Sequence, residues 1–185
     1  MSIATQFGAD LSSAIQLCQR CQLSQNCRPV PFSQNAETPS VVFVAAQADR
    51  EAEIFGEPLS GRHGELLRKL ASQAGISKWH LTYLVKCAGR STAAIREACA
   101  TWLDCEFATF RPPTVVSLGL EPALHLLKLP KKTKLVDVVG SIHNQNSFRV
   151  GVWYASQRML TSGKKMDGQF VEFLQKLVAG SGLHD

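Results

Sequence analysis

The chain has 185 residues, of which 45% are hydrophobic and 19% charged, so it is long enough for one well-buried core and too short for two ordinary domains. No apolar run approaches the roughly 18 residues of a membrane span, and the N-terminus lacks the basic and apolar segments of a secretion signal, so we expect a cytoplasmic protein with no membrane partner. The 20 lysines and arginines exceed the 15 aspartates and glutamates by five, which fits nucleic-acid binding without requiring it.

The N-terminal part is predicted to pass from a cysteine-rich segment into a buried strand. Residues 10–27 are expected to form a short helix that runs into a cysteine-rich turn, and residues 28–39 a loop with three prolines. The continuous apolar run at residues 41–46 is typical of a strand buried on both faces. A charged loop is expected over residues 47–61, followed by a helix over residues 63–75 with its leucines and alanines on one face.

The middle of the chain is predicted to form a strand, a helix and a further strand. Residues 80–85 indicate the second strand. Ser91 or Thr92 is expected to cap a helix that ends near Phe110, where two prolines follow. Residues 114–118 indicate the third strand.

The C-terminal part is predicted to begin with a helix over residues 119–127. A hairpin-like pair of strands is expected over residues 136–142 and 148–154, with its turn at residues 144–146. A loop and a closing helix over residues 167–178 complete the chain.

Buried strands that alternate with helices indicate a three-layer α/β/α fold with a mainly parallel central sheet. We expect one domain over residues 1–185. Within it, residues 1–39 would form an N-terminal helix and cysteine-rich loop, and residues 40–180 the α/β core.

The cysteines are the clearest chemical signal. In a reducing compartment they are more often metal ligands, buried apolar residues or redox thiols than disulfides. Cys18 and Cys21 form a C-x2-C pair, which zinc sites, iron–sulfur clusters and redox dithiols all use. Cys87 ends the second strand and Cys99 lies in the first turns of the next helix, where the N-terminal turn can dock. Alternatively, both are small residues of the core.

Two further cysteines are assigned other places. Cys27 is expected to be a spare thiol near the metal site. Cys105 lies six residues beyond Cys99, more than half a helical turn away, and is expected in the core.

Several blocks of the sequence resemble the family 4 uracil-DNA glycosylases. Phe43-Val-Ala-Ala-Gln-Ala-Asp49 is similar to the family's Phe-Ile-Gly-Glu-Ala-Pro-Gly, and Gly56-Glu-Pro-Leu-Ser-Gly-Arg-His-Gly64 to its Gly-Arg-Pro-Phe-Val-Gly-x-Ala-Gly. Leu81-Thr-Tyr-Leu-Val-Lys-Cys87 is similar to Ile-Thr-Asn-Val-Val-Lys-Cys, and Trp153-Tyr-Ala-Ser156 stands where the family has Thr-Tyr-His-Pro. The resemblance extends over residues 18 to about 175 and implies a uracil-DNA glycosylase-like fold.

The same resemblance implies a four-iron, four-sulfur (4Fe–4S) cluster. Family 4 enzymes bind this cluster through four cysteines, which match Cys18, Cys21, Cys87 and Cys99. The cluster would tie the N-terminal turn to the strand and helix beside the catalytic face.

The positions that carry chemistry in the family are replaced here. The family's water-handling acid corresponds to Ala46, the asparagine that reads the uracil edge to Tyr83, the aromatic that stacks on the base to Leu59, and the oxyanion-stabilising histidine to Ala155. A glycosylase must hold a flipped base and stabilise charge as the glycosidic bond breaks. Four losses together predict that ordinary uracil excision is absent.

The backbone of the first motif is altered as well. Its two glycines and its proline are replaced by Ala45, Asp49 and Ala48, so we do not expect the family's tight turn. Glu51 and Glu53, which follow, are expected on a solvated loop face.

A substituted active site is the alternative. Gln47 and Asp49 lie close to the altered motif and can position a water. His143 and His63 can supply an imidazole, although a lone histidine in a turn or at a helix start is more often a surface or capping residue.

Four basic residues are candidates for DNA binding: Arg62, Arg158, Lys164 and Lys165. In the family, the loop after the Tyr-His-Pro segment inserts into DNA, and residues 158–165 occupy that position. Met159 and Leu160 would then act as an apolar wedge between phosphate-binding cations. A solvated, flexible loop is the alternative, and the lysines at 131–134 are expected on a solvent face.

These patterns lead to three hypotheses. The first is a catalytically silent protein that binds DNA, or a protein partner in DNA replication or repair. The psi accessory subunit of bacterial clamp loaders is a precedent at the level of the fold alone. The second is an active glycosylase with an altered substrate or mechanism, which uses Gln47, Asp49 or His143. The third is a zinc-bound or redox-sensing protein on the same scaffold.

Overall fold

A computed structural model describes residues 3–33, 38–58, 60–145 and 147–180. The strands are β1 (Val41–Gln47), β2 (Trp79–Val85), β3 (Thr114–Leu118), β4 (Ile142–Asn144) and β5 (Arg149–Trp153). The helices are α1 (Ile3–Gln16), α2 (Arg50–Phe55), α3 (Gly61–Gln73), α4 (Ala93–Phe110), α5 (Leu120–Leu126), α6 (Leu135–Val138), α7 (Ser156–Ser162) and α8 (Lys164–Ala179). A short 3-10 helix, Leu23–Gln25, follows the first two cysteines.

The five strands form one sheet in the order β2-β1-β3-β5-β4. β1 pairs in parallel with β2 and β3, and β5 pairs in parallel with β3. β4 is antiparallel to β5 at the edge. With helices on both faces, the predicted three-layer α/β/α fold with a mainly parallel sheet is confirmed.

One face of the sheet is covered by α3, α7 and α8. Phe43 of β1 lies in a buried cluster with Leu70 of α3, Met159 of α7 and Phe173 of α8. Burial of each such side chain contributes about 1.5–3 kcal/mol to stability. This cluster is the larger part of the core.

The opposite face is covered by α4 and α5, with α1 packed against α4. Because side chains alternate along a strand, Val42 and Val44 of β1 point to this side, where they contact Leu103 of α4. Ile15 of α1 is buried in a smaller cluster with Trp102 of α4. The end of α1, and with it the cysteine-rich turn, is thereby fixed to α4.

The segment after this turn lies antiparallel to β2. The amide of Val30 donates to the carbonyl of Lys86 at 2.7 Å, and the amide of Ser33 donates to the carbonyl of Leu81 at 2.9 Å. The N-terminal end of this segment therefore lies at the carboxyl end of β2. The cysteine-rich turn, which precedes the segment in the chain, is thereby placed at the edge of the sheet where Cys87 lies.

Two predictions in the first third of the chain are wrong. α1 begins at Ile3 rather than near residue 10 and ends before Cys18. Residues 50–55, predicted as part of a charged loop, form α2, because the Asp49 carboxylate accepts the Ala52 amide and caps it. Glu53 is buried rather than solvated, and its carboxylate accepts the Arg28 amide at 2.9 Å.

Two predictions in the last third also fail. The predicted strand over residues 136–142 is a short helix, α6, and only the three residues of β4 pair with β5. The predicted loop after β5 contains α7, in which Met159 is buried in the core and does not project as a wedge. Leu160 of α7 is 37% exposed. Asn146, in the predicted hairpin turn, lies outside the described residues.

Cys105 is exposed, although we expected it in the core. α4 buries the face that carries Cys99, Trp102, Leu103 and Glu106. Six residues from Cys99 is about 240° around a helix, which turns the Cys105 thiol toward solvent. Of the helices within the described ranges, none is both long and apolar enough to cross a membrane.

Candidate functional site

A cavity of about 310 Å³ opens at the carboxyl ends of the parallel strands. Its wall includes Gln47 of β1, Tyr83 of β2 and Leu118 of β3. In the sheet, β2 lies on one side of β1 and β3 lies on the other side. The cavity therefore lies where the strand order reverses, which is the usual ligand site of open α/β sheets.

The residues at the family's pocket positions converge on this cavity. Ala46, Gln47, Asp49, Tyr83 and Ala155 all line it. The remaining pocket position, held by leucine at 59, lies outside the described residues. The two alanines present methyl groups where the resembling enzymes carry an acid and an imidazole, so the wall offers no charge at either point.

Tyr83 is a fixed part of the cavity wall. Its side chain is 5% exposed and packs with Val30 and Ala48, and its hydroxyl donates to the Pro58 carbonyl at 3.2 Å. Burial raises the pKa of the phenol above its ordinary value, and the negative charge of Asp49 raises it further. The ring therefore stays neutral and held in place where an amide would otherwise read a base.

Three polar side chains meet on one side of the cavity. The Ser156 hydroxyl lies 3.0 Å from Nδ1 of His63, and Oδ2 of Asp49 lies 3.9 Å from the same nitrogen. Because the hydroxyl and the carboxylate approach the same ring nitrogen, the set is not the relay of a Ser–His–Asp triad. Instead, these contacts orient the imidazole of His63, a residue of α3, in the part of the cavity where Ala155 lies. Such a set can hold a water or the polar edge of a ligand.

Gln47 has a structural role in the cavity wall. Its side-chain amide donates to the carbonyls of Cys87 at 2.7 Å and Gly89 at 2.6 Å. These two bonds join the end of β1 to the loop after β2. Gln47 is therefore committed to holding the cysteine-bearing loop and is not a free donor for a water.

Three of the four predicted ligand cysteines lie close together: Cys18 and Cys99 pack in one cluster, and the amide of Lys86, next to Cys87, donates to Cys99. Cys87 and Cys99 are buried, and Cys18 and Cys21 are partly exposed on the N-terminal turn. All of the cysteines within the described residues are free thiols. Arg20, between the first two cysteines, donates to the Thr101 hydroxyl and lies 4.5 Å from the Trp102 ring centroid, which anchors the turn on α4.

Two of the four sulfur atoms receive hydrogen bonds of the kind that stabilise thiolate ligands. The Trp102 indole donates to Sγ of Cys18 at 3.2 Å, and the Lys86 amide donates to Sγ of Cys99 at 3.3 Å. Burial first, and then the neighbouring cysteines with Cys99 foremost, raise the pKa of the Cys87 thiol to about 12. The predicted ligand thiols are thus close enough to influence one another electrostatically.

Four cysteine thiols are a donor set that both zinc sites and iron–sulfur clusters use. Among the described residues, no three histidine, cysteine, aspartate or glutamate side chains are arranged to hold one metal ion. A zinc ion, with Zn–S bonds of about 2.3 Å, requires its sulfurs within about 4 Å of each other. A four-iron cluster is larger and takes four cysteine thiolates, and here the sulfurs of Cys18 and Cys99 have N–H donors.

The candidate DNA-binding residues lie on α3, on α7 and at the start of α8. Arg62 precedes His63 on α3, and Arg158, exposed on α7, lies 4.5 Å from the Tyr154 ring centroid. Two exposed lysines, at 164 and 165, occupy the first turn of α8. Lysines at this end add to the positive charge of the helix dipole. This repulsion destabilises the free helix, and a bound phosphate would relieve it.

One predicted residue does not reach the site, and others were missed. His143 lies on edge strand β4, with its imidazole 2.7 Å from the Ser141 hydroxyl, and it does not line the cavity. His63, the other candidate imidazole, does form part of the wall. Ser156 and Glu121 of the wall were not predicted, although Ser156 directly follows Ala155, one of the expected pocket positions.

Comparisons with known proteins agree with the geometry. The family model of the uracil DNA glycosylase superfamily matches residues 32–178. A type-4 uracil-DNA glycosylase from Saccharolobus solfataricus is 25% identical over 145 residues, which cover 73% of this chain and 65% of the relative. One from Archaeoglobus fulgidus is 25% identical over 126 residues, 65% of this chain and 63% of the relative. The chain thus spans just under two thirds of the length of each relative.

Proposed function

The chain belongs to the uracil DNA glycosylase superfamily, and from this membership we propose that it is an iron–sulfur, DNA-binding protein that does not excise uracil. The observation that carries the proposal is the composition of the cavity. Ala46, Tyr83 and Ala155 line it together, at the three described positions where the resembling enzymes have an acid, a base-reading amide and an imidazole.

The size of the expected loss follows from what such groups contribute. One preorganised electrostatic group supplies a factor of about 10²–10³ in rate. Ala46 and Ala155 offer no charge or hydrogen bond from their side chains. The Tyr83 hydroxyl already donates to the Pro58 carbonyl. Loss of all three contributions would bring uracil release down to background.

The cluster is assigned a structural role. Cys18 and Cys21 of the N-terminal turn, Cys87 after β2 and Cys99 of α4 would hold it. When bound, the cluster supplies a covalent tie between these three segments. The hydrogen bonds from Gln47 to the carbonyls of Cys87 and Gly89 connect these segments to the end of β1, which forms part of the cavity wall.

DNA binding is supported by the placement of the cations. Arg62 and Arg158 come from α3 and α7, two helices that contribute residues to the cavity wall and contact each other. Exposed Lys164 and Lys165 add positive charge at the start of α8. Each phosphate contact releases counterions, so binding should weaken steeply as salt rises.

The test is fluorescence anisotropy with a labelled duplex at several salt concentrations. The double variant Arg62→Ala/Arg158→Ala should lower the slope of log Kd against log salt by about two. Lys131→Ala/Lys132→Ala removes the same charge from an exposed segment away from the cavity and is the matched control. Equal effects of the two pairs, or no binding by the unaltered protein at low salt, would overturn the DNA-binding assignment.

A second candidate function is excision of a different base by a rebuilt site. The contact between Ser156 and His63 at 3.0 Å, with Asp49 beside them, returns an imidazole and a carboxylate to the cavity. The test is release of hypoxanthine or xanthine from DNA by the unaltered protein, by His63→Ala and by Asp49→Asn. Activity that both variants abolish supports this candidate. No activity, or activity that survives both changes, removes it.

A protein partner in replication or repair, and a cytoplasmic location, belong to the first proposal. A subunit without chemistry of its own acts through what it binds. Affinity capture from native cells with unaltered and Arg62→Ala/Arg158→Ala protein separates a partner recruited through DNA from one that binds the protein directly, because only the former is lost from the variant.

A further inference from the structure

We propose that a groove at the amino ends of the parallel strands binds an acidic peptide segment of a partner protein, one that also carries apolar side chains. The groove lies at the end of the sheet opposite the cavity. Its lining includes residues that directly precede strands, namely Ser40 before β1, Lys78 before β2 and Pro113 before β3. A ligand in this groove would leave the cavity open, so this inference is independent of the cluster, the cavity and DNA binding.

Three adjoining hollows form the groove, with volumes of about 370, 520 and 480 Å³. Arg111 lines the first and the second hollow. Phe107 and Phe148 line the second and the third. Because neighbouring hollows share lining residues, they make one continuous surface around the end of α4.

The floor of the groove is apolar. Phe107 of α4, Leu126 of α5 and Phe148, which precedes β5, pack against the core and are only partly buried. The rings of Phe107 and Phe148 meet edge to face, with their centroids 5.3 Å apart. Large apolar side chains that stay half-exposed in a concave surface are typical of sites that take the apolar anchors of a partner.

Cations outnumber carboxylates in the groove. Lys78, Arg111 and Lys128 line it and are exposed. Among the described lining residues, Asp104 supplies the one carboxylate, and Nε2 of His125 lies 3.9 Å from it. A segment with aspartates or glutamates beside its apolar side chains therefore matches the groove in charge.

Two of these cations have a backbone conformation that side chains rarely adopt. Arg111 caps the end of α4 with φ of 45°, and Lys128 follows the end of α5 with φ of 50°. In the described part of the chain, they are the two residues other than glycine with positive φ. Glycine or asparagine is usual after a helix in this conformation, and another residue costs stability. The helix dipole offsets part of this cost. Binding of an acidic ligand accounts for the placement of both cations in one groove.

The groove favours a peptide over a nucleic acid. A nucleic-acid strand brings one phosphate per nucleotide and is bound along a run of cations. Here three cations are spread over three hollows. The surface between them carries phenylalanine, leucine and proline side chains, which suit apolar side chains of a peptide.

The test begins with selection from a random peptide library displayed on phage, with the unaltered protein as bait. The selected peptides should combine aspartate or glutamate with aromatic or aliphatic residues. Labelled synthetic copies should bind Arg111→Gly/Lys128→Gly about tenfold more weakly in fluorescence anisotropy, since two exposed charge pairs are lost. Glycine accepts positive φ, so this variant should keep or raise the midpoint of thermal unfolding. If it unfolds, Arg111→Asn/Lys128→Asn takes its place, because asparagine also tolerates this conformation.

The matched control is Lys164→Ala/Lys165→Ala, which removes the same charge from the start of α8 and should bind the peptides as the unaltered protein does. Selection of no peptide, of peptides without acidic residues, or of peptides that bind every variant equally would overturn the proposal. A single-stranded oligonucleotide that binds the unaltered protein and is lost from Arg111→Gly/Lys128→Gly, while the peptides are not, would assign the groove to nucleic acid instead. Self-association that the same variant abolishes would assign it to a second copy of the chain.

Discussion

Single residues decide what the cavity can do, and some of them could be located from the sequence. Ala46, Tyr83 and Ala155 stand inside motifs whose spacing matches a known family, so their shared position was predictable. His63 could be named only as one of two candidate imidazoles, because its partner, Ser156, lies 93 positions away in the sequence. Only the packing of α7 against α3 brings the two together.

The buried phenol of Tyr83 leads to a pH-dependent prediction. Its pKa is raised in the folded protein, while an unfolded tyrosine ionises near pH 10, so the unfolded chain loses this proton first. The stability that Tyr83 confers is therefore present below pH 10 and falls above it, by up to about 1.4 kcal/mol per pH unit.

Tyr83→Phe should be less stable by about 1 kcal/mol at pH 8, because the bond to the Pro58 carbonyl is lost. Above pH 10 this difference in the free energy of unfolding should shrink to zero and then change sign. Urea unfolding of both proteins between pH 8 and pH 11 measures the difference. A gap that stays constant over this range would show that the phenol is not buried as described.

At the scale of elements, β2 and α4 are joined by a charged pair inside the core. Lys86 is 1% exposed and its ammonium donates to the Glu106 carboxylate and to the Thr82 hydroxyl. Burial raises the pKa of Glu106, although the Lys86 charge acts in the opposite direction. Because the Lys86 amide also donates to Cys99, the pair fixes the two elements that carry the buried cysteines.

Lys86→Met should destabilise the protein by about 3–5 kcal/mol, because it leaves the Glu106 carboxylate buried without a counter-charge. Lys86→Met/Glu106→Leu should recover most of this loss, since a well-packed apolar pair avoids the desolvation cost. Urea unfolding at neutral pH measures both, with exposed Lys69→Met as the control. Single and double variants of equal stability would contradict a buried ionic pair.

Element types followed from the sequence where burial was continuous and failed where elements were short. The short, β-branched runs of β1 and β3 favour strands buried on both faces, as the structure has them. α7 has seven residues and buries only Ser156 and Met159, too few for a helical period to show. In α6, the two valines of Leu135–Val138 favour a strand by propensity, and local capping by Asp137 at the Lys134 amide outweighs it.

At the scale of the whole molecule, the N-terminal turn has less support from the core than the sheet has. Its 3-10 helix has no buried residue, whereas the sheet beneath is buried on both faces. The cluster would thus be the main constraint on residues 18–27. The core around β1 and β3 does not require it.

Removal of iron by chelation should therefore loosen the cysteine-rich turn and leave the sheet intact. We expect backbone amides in residues 18–27 and 87–89 to exchange at least about tenfold faster, equivalent to about 1.4 kcal/mol of local stability. Amides of β1 and β3 should keep their protection. Hydrogen–deuterium exchange with mass spectrometry compares the two forms, and unchanged exchange at the turn would rule out a structural role for the cluster.

The most direct test of the account is a single-turnover measurement on a labelled duplex with one uracil, at protein concentrations that saturate the DNA. The cavity formed by Ala46, Tyr83 and Ala155 predicts a complex in which the DNA stays intact, with no abasic product above that of a protein-free control. Uracil release from the saturated complex, at a rate that Tyr83→Ala or His63→Ala reduces, would contradict it.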